Sequence, residues 1–267
     1  MKYIIKIAII FSLITIALTG CPGKSNDLTI KKDILLVGVN VGYPPMEYLA
    51  DDGVTFVGFN VSLAKAIGEK LGLEVQFIDT FWEVIFDGLN NEKYDCIISS
   101  VTITAQRQQN FNFSNPYLQN TLAIVMLNDS EHTVNSPSDL GGLRVAYQAE
   151  TTSSDLIDQL IQEGKRITPF EFDNVMYCFD DLSLGRVHAV VTDLVVGIEY
   201  LTRSESFNIV WQGEEEVFGI CVKKGNDTLT EAINKALFEL FEDGTILRLS
   251  KEFFKERDLV SMVKPRQ

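Results

Sequence analysis

A chain of 267 residues that is 46% hydrophobic and 22% charged has the composition of a folded globular protein, long enough for one large domain or two smaller ones. Its net charge of −14, with no basic run longer than Lys31-Lys32, argues against nucleic-acid partners and against adhesion to anionic lipid surfaces. Two histidines (His132, His188) and four scattered cysteines without a C-x-x-C pair exclude zinc ribbons, zinc fingers and thioredoxin-type motifs; with no Walker phosphate loop either, neither a metal nor a cofactor is expected.

The chain opens with Lys2 and Lys6, followed by an uncharged run over residues 7–18. That run is shorter than the roughly 20 residues a spanning helix needs and suits the apolar region of a signal peptide over residues 1–20. Leu18-Thr19-Gly20-Cys21 resembles the lipobox of bacterial lipoproteins, whose cysteine is acylated and begins the mature chain. This resemblance implies a lipid on Cys21 and a place in the cell envelope, outside the cytoplasmic membrane. Polar, turn-prone residues 21–27 read as the lipidated tether. Cys96 and Cys221 lie in apolar, strand-like runs and read as buried thiols, while one disulfide through Cys178 stays open.

Residues 34–39 (ILLVGV) suit a buried strand. Residues 58–72 carry Leu63, Ala64, Ile67 and Leu71 at helical spacing, with Asn60 as the expected N-cap and Gly72 as terminator. A strand at 74–79, a helix at 81–89 and a strand at 94–100 complete a β-α-β-α-β order, which predicts a mostly parallel sheet covered by helices. The pattern then restarts with an extended run at 122–127, a strand at 143–148 and a helix at 152–163. Strands at 189–193 and 217–222 follow, then amphipathic helices at 229–242 and 245–256 separated by Gly244. Two α/β units predict two lobes. Phe59 and Phe86 are expected in the core.

Five segments in sequence, GFNVSLAKAIGEKLG, YDCIISSVTITAQRQQNFNFSNPY, LRVAYQAETTSSDL, LGRVHAVVTD and EDGTILRLSKEFF, resemble the polar-amino-acid group of bacterial solute-binding proteins (family 3) that serve ABC importers. The resemblance covers nearly all of residues 33–257. It implies a two-lobed periplasmic-binding-protein-like α/β fold, each lobe a mostly parallel sheet flanked by helices, joined by two hinge strands and closing on a ligand. Both chain ends would build lobe 1 (residues 28–118 and 218–259), with lobe 2 at 119–217 and a tail at 260–267. It further implies a monomeric receptor rather than an enzyme, which delivers a free, polar amino acid to a membrane permease. No fused kinase or peptidoglycan-cleaving domain is expected.

A free amino acid carries a carboxylate and an ammonium on one carbon, so its receptor needs a bidentate cation and an acid. Arg107 follows the turn Ser99-Ser100-Val101-Thr102 and matches the family position that holds the carboxylate, with Ser100 and Thr102 adding hydrogen bonds. Asp193 ends an apolar strand, where α/β sheets place their ligand crevices, and matches the ammonium partner; it could also cap the next segment. Gln148 opens a loop into a helix N-terminus that favours anions, so Thr151 and Thr152 are expected to assist from the second lobe. The resemblance makes Tyr43 and Trp82 the walls around the ligand side chain. Asn40 stands where several relatives carry an acid that reads that side chain. Asn60 and Ser62 replace acids, a change expected to affect capping only, and Glu150 replaces a frequent glycine. Glu150 would be the proton donor in an alternative reading, a cyclohexadienyl- or arogenate-type dehydratase on the same scaffold. A ligand-sensing module without transport is the remaining alternative.

Overall fold

The computed structural model describes residues 28–255, 259, 260 and 263. The expected signal peptide, Cys21 and the tether lie outside the described residues, as does most of the 260–267 tail.

The chain begins with β1 (Ile34–Val39), the short hairpin β2 (Tyr48–Leu49) and β3 (Phe56–Val57), α1 (Phe59–Leu71) and β4 (Glu74–Asp79). A 3-10 turn at Trp82–Val84 leads into α2 (Ile85–Asn90), β5 (Cys96–Ile97), α3 (Ala105–Asn110) and β6 (Phe111–Phe113). The second unit runs β7 (Leu118–Leu127), β8 (Arg144–Gln148), α4 (Thr152–Gln162), β9 (Thr168–Phe172), α5 (Val175–Ser183), β10 (Ala189–Asp193), α6 (Leu194–Arg203) and β11 (Phe207–Phe218). The chain then returns to the first unit as β12 (Cys221–Lys223), α7 (Asp227–Glu242) and α8 (Thr245–Phe253).

Each unit is built on a five-stranded sheet, ordered β4-β1-β5-β12-β6 and β11-β7-β10-β8-β9. In each sheet four strands run one way and one runs against them, β12 in the first and β7 in the second. β7 and β11 pair antiparallel from Leu127↔Phe207 down to Leu118↔Phe218, so the outgoing and returning connections lie side by side. The apolar core passes between the lobes at this point through Tyr117, Leu118 and Phe218, all fully buried.

Local chemistry sets these elements. On α1 the buried residues Leu63, Ala64 and Ile67 follow the expected spacing, and Gly72 closes the helix in the left-handed region at φ 68°. The N-cap is Gly58, not Asn60. Gly58 adopts φ 125°, and a Cβ there would lie 2.2 Å from the Met46 carbonyl oxygen, so only glycine lets the helix start this close to the preceding chain. The N–H groups of Phe59 and Asn60 then donate to the carbonyls of Pro45 and Met46. Asn60 is thereby drawn inside, fully buried. The expected strand at 94–100 shrinks to two residues, because the chain turns sharply at Ser100 with φ 53°. The expected strand at 217–222 is split at Gly219-Ile220, where the chain passes from one sheet to the other. Cys96, Cys178 and Cys221 are buried free thiols.

Candidate ligand-binding site

Asn40 follows β1, the 99–102 turn follows β5, Gln148 ends β8 and Asp193 ends β10. The carboxyl ends of strands from both sheets therefore converge, the position at which open α/β sheets form crevices. Between them lies a narrow cavity, with about 30 Å³ open to the centre of a water molecule. All ten residues singled out in the sequence line it: Asn40, Tyr43, Trp82, Ser100, Thr102 and Arg107 from the first lobe, Gln148, Thr151, Thr152 and Asp193 from the second. Glu47, Ser99 and Ser153 join them.

Arg107 lines the cavity from the first lobe. Thr104 caps α3 by accepting the Arg107 N–H at 3.1 Å, which fixes the root of the side chain. Nη1 donates to the Thr102 carbonyl at 3.1 Å and Nη2 to the Glu150 carbonyl at 3.5 Å. The guanidinium carbon lies 5.6 Å from the Trp82 ring centre and 5.3 Å from that of Phe86. Phe86 is thus a half-buried support for the arginine as well as a core residue. Arg107 takes part in no ion pair among the described residues. Desolvation lowers its pKa against the pull of acids around it, Asp155, Asp193 and Glu216 among them. The Thr102 and Thr152 hydroxyls approach Glu216 Oε2, on β11, at 3.4 and 3.5 Å. The Thr151 hydroxyl caps α4, accepting the Ser154 N–H, and donates to the Gln148 carbonyl.

Asp193 lines the cavity from the second lobe. It occupies the N-cap position of α6, yet its side chain makes no capping bond. Instead Oδ2 accepts the Tyr43 hydroxyl at 2.5 Å and Oδ1 accepts Asn120 Nδ2 at 2.6 Å. Burial raises its pKa to about 6, with Tyr43, Asn120 and Arg107 pulling the other way. Tyr43, expected only as an aromatic wall, thus also carries a hydrogen bond from one lobe to the other.

Sequence reasoning missed Glu47. It is 1% exposed, lies in the turn-rich stretch YPPMEY and shows no local pattern that places it beside Ser99. A lone acid inside an apolar stretch was the available signal. Its oxygens accept Ser99 Oγ and Asn60 Nδ2, each at 2.7 Å, and burial pushes its pKa up to about 8. The Asn60 replacement therefore acts on this buried network and not on helix capping.

Further bonds cross the cleft. Gln148 Nε2 donates to Asn40 Oδ1 at 3.0 Å, and Asn174 Nδ2 to the Val41 carbonyl at 3.2 Å. Trp82 Nε1 donates to the Glu150 carbonyl at 3.0 Å. Glu150 stands at φ 55°, in the left-handed region that glycine enters freely, and its side chain is exposed and does not line the cavity, as a proton donor would need to.

Two α/β lobes around a cleft define the architecture of the periplasmic binding proteins. Residues 35–256 match the bacterial extracellular solute-binding proteins, family 3, and the chain belongs to that family. It is 29% identical to the L-cystine-binding protein TcyJ of Escherichia coli (strain K12) over 227 residues, 84% of each chain. An ancestral arginine-binding protein bound to arginine superposes with a TM-score of 0.79 at 35% identity, covering 83% of this chain and 98% of its own. The ancestral amino-acid-binding protein AncCDT-1, a precursor of cyclohexadienyl dehydratase, superposes with a TM-score of 0.77 at 29% identity, covering 83% and 96%. The relatives named here are binding proteins, not enzymes.

Proposed function

We propose that this chain is an extracytoplasmic receptor, lipid-anchored through Cys21, that captures a free polar amino acid and delivers it as a monomer to an ABC permease. One observation carries the reading: Arg107 and Asp193, groups of opposite charge, line one cavity from its two lobes, each without an ion-pair partner among the described residues. A free amino acid carries a carboxylate for the one and an ammonium for the other. The ligand carboxylate takes the remaining N–H groups of Arg107, assisted by Ser100, Thr102, Thr151 and Thr152. The ammonium takes Asp193, displacing the Tyr43 hydroxyl. The side chain lies between Tyr43 and Trp82, with Asn40 and Gln148 at its tip. Hydrogen bonds to charged groups contribute about 1.5–3 kcal/mol each. Offset by association and closure costs, a few of them correspond to a micromolar constant, about −8 kcal/mol. The amino-acid-binding relatives support the ligand class, and the lipobox-like Leu18-Thr19-Gly20-Cys21 supports the anchor.

Thermal shifts of the full chain against each proteinogenic amino acid and L-cystine at about 1 mM test this reading. A micromolar ligand at that excess stabilises by about 4 kcal/mol. The expected result is a shift with one or a few polar amino acids, lost in Arg107→Ala; no shift with any of them overturns the reading. Incorporation of labelled palmitate, lost in Cys21→Ala, tests the anchor separately.

A further inference from the structure

We propose that Glu47 is the positioning residue of this pocket, setting three parts of its wall at once; only the binding readout below rests on the receptor reading. Its two oxygens feed two short relays. Oε1 accepts Ser99 Oγ at 2.7 Å, and the same Oγ accepts the Asn40 N–H at 3.0 Å. Oε2 accepts Asn60 Nδ2 at 2.7 Å, and that amide also donates to Ser100 Oγ at 3.0 Å. The main chain adds a third tie: the Gly42 and Tyr43 N–H groups both donate to the Glu47 carbonyl, while the Glu47 N–H donates to the Tyr43 carbonyl. Asn40, Ser100 and Tyr43 all line the cavity.

Two features set this arrangement apart from inert core. Ser100 stands at φ 53°, a conformation a non-glycine residue keeps only where its surroundings impose it. The Asn60 bond to its hydroxyl, anchored in turn on Glu47, is such a constraint. Second, among the described residues Glu47 is paired with no lysine or arginine; the charged group acting on it is another acid, Asp193. A buried carboxyl without a counter-ion is costly, and an apolar residue would fill the space better. Its two carboxyl oxygens accept from Ser99 and Asn60 at once, which no apolar side chain does.

The test uses Glu47→Gln and Glu47→Ala in the full chain. Titration calorimetry with L-arginine, L-glutamine and L-cystine gives affinity. Hydrogen exchange without ligand compares the Asn40 amide, at the end of the first relay, with the Val190 amide in β10. In Glu47→Ala, affinity for the tightest probe falls about 10- to 100-fold and Asn40 exchange accelerates by a similar factor, the loss expected when buried donors are left without their acceptor. Val190 is unchanged, and Glu47→Gln, which keeps shape and one acceptor, lies between. Wild-type affinity and wild-type Asn40 exchange in both variants overturn the proposal. Equal acceleration at Asn40 and Val190 also overturns it, since that reports bulk stability alone. If Glu47→Ala does not fold, Glu47→Gln decides. If none of the three probes binds the wild-type chain, Asn40 exchange alone decides the role of Glu47.

Discussion

Trp82 and Glu150 meet across the cleft, the indole N–H of one lobe donating to a backbone carbonyl of the other at 3.0 Å. The same carbonyl receives Arg107 Nη2, so the two lobes touch directly over the arginine. The Trp82 ring also lies against the guanidinium. Trp82→Phe keeps a flat ring and removes only the donor. The expected outcome is dissociation of the bound amino acid faster by about 3- to 10-fold at an unchanged association rate, the scale of one neutral hydrogen bond. Stopped-flow fluorescence, with Trp211 left as reporter, measures both rates; an unchanged dissociation rate would show that the bond contributes nothing to closure.

Glu150 holds φ 55° with an exposed side chain. Glu150→Gly therefore relieves backbone strain and removes no buried contact. The strain relieved, about 1–3 kcal/mol, exceeds the entropy that glycine adds to the unfolded chain. Stability to urea without ligand should rise by about 1 kcal/mol. Equal or lower stability would mean that the turn stores no strain.

Three acids around the cleft have their pKa values raised, by burial first: Glu47 to about 8, Glu216 to about 7 and Asp193 to about 6. Each binds its proton more tightly folded than unfolded, so the stability it contributes is present at low pH and lost as pH rises through the folded value. His188, whose pKa burial lowers, acts in the opposite sense, and only at the acid side of the ordinary histidine range. Between pH 6.5 and 8.5 the Tm of the ligand-free chain should fall, with Glu47→Gln flattening the upper part of that slope. Ligand affinity should move the other way. An ammonium beside Asp193 favours its ionised form, so binding tightens from pH 5 to 7, and Asp193→Asn abolishes that dependence. Calorimetry of unfolding and of binding across the range measures both; a flat Tm would contradict the raised values, and a flat affinity would contradict the Asp193–ammonium contact.

Cys96, Cys178 and Cys221 are buried, and desolvation raises the pKa of each thiol. None should react with an alkylating reagent at pH 8 in the folded chain, and all three should react after denaturation. Peptide mass mapping checks each site; fast labelling of any one in the native chain would show that its lobe opens locally.

The elements readable in the sequence are those whose own side chains decide them. α1 shows its periodic apolar face and its terminal Gly72, and α4, α7 and α8 show theirs. β9 was illegible because it is an edge strand with an exposed TPFEF sequence, and most of β11 because its Glu214-Glu215-Glu216 run reads as a solvated loop. α6 begins directly after Asp193 with no side-chain cap to announce it. At the site, residues matching family motifs were visible one by one. Their mutual bonds were not: Tyr43 and Asp193 are 150 positions apart, and Gln148 and Asn40 are 108 apart. Asn60 misled because a polar residue before an apolar helix normally caps it, whereas here Gly58 starts the helix earlier.

β12 is three residues long, yet it lies between β5 and β6 in the first sheet and bonds to both. As the chain emerges N-terminus first, β6 therefore waits for a neighbour that follows more than a hundred residues later. The second sheet is continuous from β7 to β11 and has every strand in hand before β12 is translated. Vectorial folding should accordingly finish the inner lobe of the sequence first. A chain truncated just before Cys221 would carry every strand of the second sheet and a first sheet with a gap between β5 and β6, with half of the cleft in place and its opposite wall unfastened.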